Sequence, residues 1–189
     1  MSTRSTYYAP TGGLPPQTQL LSDRAIFTEA YAIIPKRVLT DIVISYLPFW
    51  EGMRMWVIAR PLTGFSETFS QYIVEVAPNG GSQKPELDMK AEAVLFVVEG
   101  EMDITIEGEA HHLEAGGYAF LPPECKWTLK NNSDKHVKFH WIRKAYQFVD
   151  GIDAPEAFVT SDHDVEAIEM PGTDGVWKTT RFTEQSDMR

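Results

Sequence analysis

Between residues 102 and 107 the chain alternates. Met102, Ile104 and Ile106 are apolar, while Asp103, Thr105 and Glu107 are polar. A period of two places the apolar set on one face of an extended strand and predicts a half-buried one. The same pattern runs through residues 68–77, where Tyr72, Val74 and Val76 oppose Phe69 and Ile73. It returns over 136–144, where Val137, Phe139 and Trp141 alternate with His136, Lys138 and His140. Residues 94–98 are apolar without a break, which predicts a strand buried on both faces. Further strands are predicted over 25–34, 53–59 and 118–121, and a strand or extended segment over 38–46.

Glycine and proline punctuate these runs. Gly100 and Gly108 each sit between two glutamates and predict turns, since glycine is free to take positive φ. Pro122-Pro123 ends the run before it, as do Pro35, Pro48 and Pro61. The sequence Pro78-Asn79-Gly80-Gly81 is a strong turn signal. No long amphipathic helix is legible. Many short strands with Gly and Pro turns predict an all-β sandwich or barrel with its core over residues 54–143.

The pattern also divides the chain. Residues 1–24 are polar and rich in Pro, Gly, Ser and Thr, an arm that lies over the barrel or reaches a partner subunit. Residues 25–146 form the barrel. Residues 147–189 read as linker and tail, with short apolar pieces at 157–160 and 165–170.

Composition narrows the functions. A net charge of −10, from 27 acidic and 17 basic residues, argues against nucleic acid as a partner. No window approaches the roughly 20 apolar residues of a membrane span, and the first residues lack the apolar core of a signal peptide. Cys125 is the one cysteine, so no internal disulfide forms, and a reducing, cytoplasmic compartment is expected. Its place in a turn allows a reactive thiol, but a structural residue is the plainer reading.

Candidate chemistry is sparse. His111 and His112 are adjacent, and neighbours on a strand point to opposite faces. They do not converge on one metal without a bulge; one is expected in solvent and one buried and hydrogen-bonded. Glu86, Asp88 and Glu92 form an acidic group suited to a hard cation, or simply a solvated loop. His140 lies off the apolar face of its strand; His136 and His163 carry no partner pattern. No nucleophile elbow, P-loop or dinucleotide fingerprint is present.

The two stretches 81–100 and 117–132 resemble the signature blocks of the cupin family. Gly81, Gly100, Gly117, Pro123 and Asn132 stand at the block spacings, with Cys125 at a glycine position of the second block. The resemblance implies a cupin double-stranded β-helix, a jelly-roll-like barrel with the arm and tail outside it. The four positions where such proteins place His, His, Glu and His hold Leu87, Met89, Ala93 and Thr128. These residues do not form a divalent-metal site, and Met suits only a soft ion. They are expected to line a packed or weakly apolar pocket.

The order of segments is similar to the first cupin of (S)-ureidoglycine aminohydrolase, the two-cupin family also called glyoxylate-induced protein. Residues 72–83, 92–100 and 116–124 carry the likeness, with 7–13 and 20–26 in the arm and 144–146 onward in the inter-domain region. The resemblance implies a first barrel without metal and a second, absent from this chain, that binds manganese and releases ammonia from ureidoglycine to give ureidoglycolate. It implies no cofactor in these residues, no catalytic residue, a homo-oligomer, and a structural or oligomerising role. Two other readings stand beside it: a stand-alone cupin that binds a small metabolite, and a metal enzyme with ligands from His111, His112, Glu92 or His140.

Overall fold

The computed structural model describes residues 26–27, 31–35, 47–59, 61 and 68–183. The predicted arm, 1–24, and the segment 38–46 lie outside them. Every regular element among the described residues is a strand. These are β1 (Ile26–Phe27), β2 (Ala32–Ile33), β3 (Trp50–Ala59), β4 (Phe69–Ser82), β5 (Ala91–Glu99), β6 (Glu101–Ile106) and β7 (Glu109–Glu114). There follow β8 (Gly117–Leu121), β9 (Trp127–Lys130), β10 (Val137–Ala145), β11 (Phe158–Ser161), β12 (Ile168–Glu169) and β13 (Lys178–Thr179).

Nine strands make one antiparallel sheet in the order β11-β8-β5-β10-β4-β9-β6-β7, with β3 on the other side of β4. The sheet folds over on itself into a nearly closed barrel. Its interior takes one parity from each strand. Met53 and Met55 come from β3, Val74 and Val76 from β4, Leu95 and Val97 from β5, Ile104 from β6, Phe139 and Trp141 from β10. Each fully buried aliphatic or aromatic side chain contributes about 1.5–3 kcal/mol. The alternation read over 102–107 and 136–144 is the alternation observed.

The strand predicted over 25–34 is two short strands instead. β1 and β2 pair with each other, Ile26 opposite Ile33.

Pro78-Asn79-Gly80-Gly81 does not end its strand. β4 runs through it, pairing with β10 up to Val76, with β3 on either side of a bulge (Met53↔Val76, then Glu51↔Gly81), and with β9 at Gly81↔Lys130. Asn79 takes φ 61°, and the pairing with β3 shifts register. The glycines serve close approach. A Cβ on Gly81 would overlap the Leu129 carbonyl oxygen, and one on Gly80 would press on the Glu51 carbonyl.

Residues 94–98 are buried fully on one face only, apart from Val98 at the end. Aromatic rings half-cover the other face. Phe182 lies 4.5 Å from Tyr118 and 5.9 Å from Phe96, and Phe158 stacks 5.7 Å from both Tyr118 and Phe120. The apolar run was legible; the cover comes from the tail, which no local pattern reveals.

Residues 158–161 are therefore not linker. β11 pairs with β8, Phe158 opposite Phe120 through Ser161 opposite Gly117, and carries the sheet past residue 146. The asparagine that organises the end of the second block is Asn131 rather than Asn132. Asn131 is fully buried; its Nδ2 donates to the Val76 carbonyl (2.9 Å) and the Lys135 carbonyl (2.7 Å), and its Oδ1 accepts from Ser133. Asn132 instead donates to Asp103 at the surface.

Candidate functional site at the barrel rim

Trp141 and Arg143 follow one another on the inward face of β10, two residues apart. Trp141 stands opposite Tyr72 on one neighbouring strand and Leu95 on the other. Trp127 opens β9 and Trp50 opens β3, and both reach the same place. Trp50 stacks on Trp141 at 5.9 Å, and Trp127 meets each edge-on, at 6.1 and 5.8 Å. Tyr72 adds a fourth ring, 5.6 Å from Trp141. Offset and edge-to-face contacts at these distances are favourable beyond the area they bury.

Arg143 lies over this cluster, its guanidinium carbon 5.4 Å from the Trp141 ring. It is held from outside by the loop after β4. Arg143 is ion-paired with Glu86 at 3.2 Å and donates to Asp88 at 3.4 Å. A cavity of about 80 Å³ lies between this loop and the rings, lined by Trp50, Trp127, Trp141, Glu86, Leu87 and Arg143 among others.

The four inherited ligand positions do not come together here. Leu87 lines the cavity from the rim and is 66% exposed. Met89 sits in the turn before β5, at the surface. Ala93 is buried, directly across from Arg143 in the β5–β10 register. Thr128 faces away from the interior; it pairs with Thr105, whereas its neighbours Trp127 and Leu129 pair with Ile106 and Ile104 and point in. A shift of one residue along a strand changes the face. Thr128 therefore does not line the pocket, and Trp127 does.

These residues do not fit a divalent metal. Ala93 offers no donor, and the group facing it is a guanidinium, which stays charged and repels a cation. Among the described residues no three of His, Cys, Asp or Glu converge.

The other candidates are dispersed. His112 is at the surface, where its Nδ1 donates to Asp103 at 2.8 Å. His111 is half-buried on the other face of β7. Solvent and the hydrogen bond thus fall on the same histidine, not on different ones. His140 sits 3.3 Å from the Gln71 side chain, and burial holds its imidazole below the usual range. Glu92 is paired with Lys144 at 3.1 Å. Cys125 is buried in the core, and burial first and the Glu107 charge second push its thiol up to about 11.

Sequence reasoning missed the Trp50–Trp127–Trp141–Arg143 cluster. One signal was available: Arg143 has the parity of Phe139 and Trp141, so it points inward, and an inward arginine needs a partner.

Residues 72–143 match the family model described as "Cupin domain". A glyoxylate-induced protein from Pseudomonas aeruginosa is 62% identical, with a TM-score of 0.82, over 96% of this chain and 66% of that one. The (S)-ureidoglycine aminohydrolase of Escherichia coli (strain K12) is 27% identical over 158 residues, 83% of this chain and 58% of that enzyme. The E. coli protein Ylba shares the fold, with a TM-score of 0.70 at 24% identity over 82% of this chain and 62% of that one. The chain thus spans less than two thirds of the length of each. It belongs to the cupin superfamily. Within that superfamily it is of the ureidoglycine aminohydrolase/glyoxylate-induced type.

Proposed function

We propose that these residues form the metal-free, N-terminal barrel of a two-cupin (S)-ureidoglycine aminohydrolase acting in allantoin breakdown. The barrel serves as scaffold and oligomer contact, and the manganese chemistry belongs to a second cupin. The observation that carries this reading is the place where a cupin would hold its metal: Arg143 faces Ala93 there, over a cluster of three tryptophans. The 62% identity to the P. aeruginosa protein over 96% of this chain supports the family assignment. Exposed apolar residues such as Phe148, Val176 and Trp177 support self-association.

Ammonia release from ureidoglycine in the presence of manganese tests it. The expected result is no turnover by the 189-residue chain beside an active two-cupin relative. Manganese-dependent turnover near that of the control would overturn it and return attention to His111, His112, His140 and Glu92. The cavity under the loop keeps the second reading, a cupin that holds a small metabolite, in view.

A further inference from the structure

Against Trp127 and Trp141 lies a short segment, residues 47–51, built unlike the strands beneath it. Leu47 and Trp50 pack against the core, and Trp50 stacks on Trp141. Between them Pro48 and Phe49 make a turn, closed by the Trp50 N–H on the Leu47 carbonyl at 3.2 Å. Proline second and a positive φ third is the pattern of a type II turn, which calls for glycine or asparagine in the third place. That place holds Phe49, at φ 66°. A bulky side chain is strained in the left-handed region. Packing does little to offset the strain: Phe49 is 43% exposed, with the Lys84 ammonium 4.0 Å from its ring.

Apart from the turn's own bond, among the described residues the backbone of this segment is tied only to residues 81–83. Glu51 pairs with Gly81 and Trp50 with Ser82, and the Gln83 N–H donates to the Phe49 carbonyl at 2.7 Å. The long pairing of β3 with β4 begins only at Met53, beyond a bulge, and the residue at the bulge is Gly52, at φ 63°. A glycine at a break in the ladder is where a strand bends most easily. We propose that residues 47–51 are a lid hinged at Gly52, held shut by the Trp50 ring and opposed by the strain at Phe49, that opens while the barrel stays folded. A segment with few ties opens well below the free energy of global unfolding. Opening removes Leu47, Pro48 and Trp50 from the wall of the rim cavity and uncovers the face of Trp141 on which Trp50 stacks. Such a lid governs access to the barrel and is independent of the scaffold role.

Amide hydrogen exchange of the 15N-labelled 189-residue chain, followed by nuclear magnetic resonance, tests this. The Trp50 and Gln83 amides, which hold the turn, should exchange together. Relative to unfolded rates they should be at least about a hundredfold less protected than Val74 and Val97 at the centre of the sheet. Low urea should speed Val74 and Val97 and leave Trp50 and Gln83 nearly unchanged, since an opening lid exposes little surface. Phe49→Gly and Phe49→Ala both remove the ring, but glycine adopts a positive φ freely and alanine does not. The glycine variant should therefore protect the two amides at least about threefold better than the alanine variant. Exchange of Trp50 and Gln83 at the rate and with the urea dependence of Val74 and Val97 overturns the proposal, because the segment is then part of the barrel. So does the absence of any protection at Trp50 and Gln83, which would mean that nothing is held shut. A glycine variant protected no better than the alanine one overturns it as well.

Discussion

Cys125 shows how a residue that looks reactive is disarmed by its surroundings. A turn position suggests access, yet the side chain is packed into the core. With the thiol pushed up to about 11, the thiolate that does the chemistry is scarce at neutral pH. The folded chain should resist a thiol reagent that labels it promptly in urea; prompt labelling without urea would contradict the burial. His112 and Asp103 make a different test. The hydrogen bond between them is the first cause of both shifts, raising the imidazole and lowering the carboxyl. The part due to His112 is complete below the ordinary imidazole range and is lost as pH rises through the raised value. The part due to Asp103 is present above the ordinary carboxyl value and is lost as pH falls through the lowered one. The pair is therefore strongest from roughly pH 4 to 6.5. Both side chains are well exposed, so the effect is small. Urea denaturation should show His112→Ala further below the parent at about pH 5.5 than at about pH 8. A gap independent of pH would count against the pair.

At the scale of elements, the strand periodicities were legible and the partnerships were not. Residues 102–107 announced their own faces because the pattern is local. Residues 78–81 were misread because glycine serves close approach as readily as a turn, and only the presence of Leu129 and Glu51 distinguishes the two. β11 went unnoticed because four half-buried residues carry little pattern of their own; their place is given by β8. This leads to a measurable consequence. A chain ending at residue 146 leaves the β8 edge bare and removes Phe158 and Phe182 from Tyr118 and Phe120. Such a chain should unfold at lower urea and aggregate at lower temperature than the full one, as an uncovered edge with apolar neighbours predicts. Equal stability and solubility would show that β11 adds nothing to the barrel.

At the scale of the molecule, the fold was legible because a barrel needs only strands of the right parity at the right intervals. The rim site was less so, since its members Trp50, Glu86, Trp127, Trp141 and Arg143 come from four separate places in the chain. Glycine spacing located the ligand positions of a cupin, but strand parity decided which of them look inward, and Thr128 does not. A barrel so filled should be indifferent to metal. Because only a ligand that prefers the folded state raises the midpoint of thermal unfolding, manganese should leave the Tm unchanged; a dose-dependent rise would reveal a site. The sheet order has one more consequence, for the timing of folding. The strands that flank β10, β4 and β5, precede it by long stretches of sequence: Phe69 awaits Lys144, and Ala91 awaits Ala145. During synthesis β6 and β7 can zip together at once, but the centre of the sheet stays open until β10 leaves the ribosome. Contacts so distant along the chain are slow to form. Until then the newborn chain presents two unpaired edges, so its most hazardous moment falls late, when the barrel is nearly complete and still unclosed.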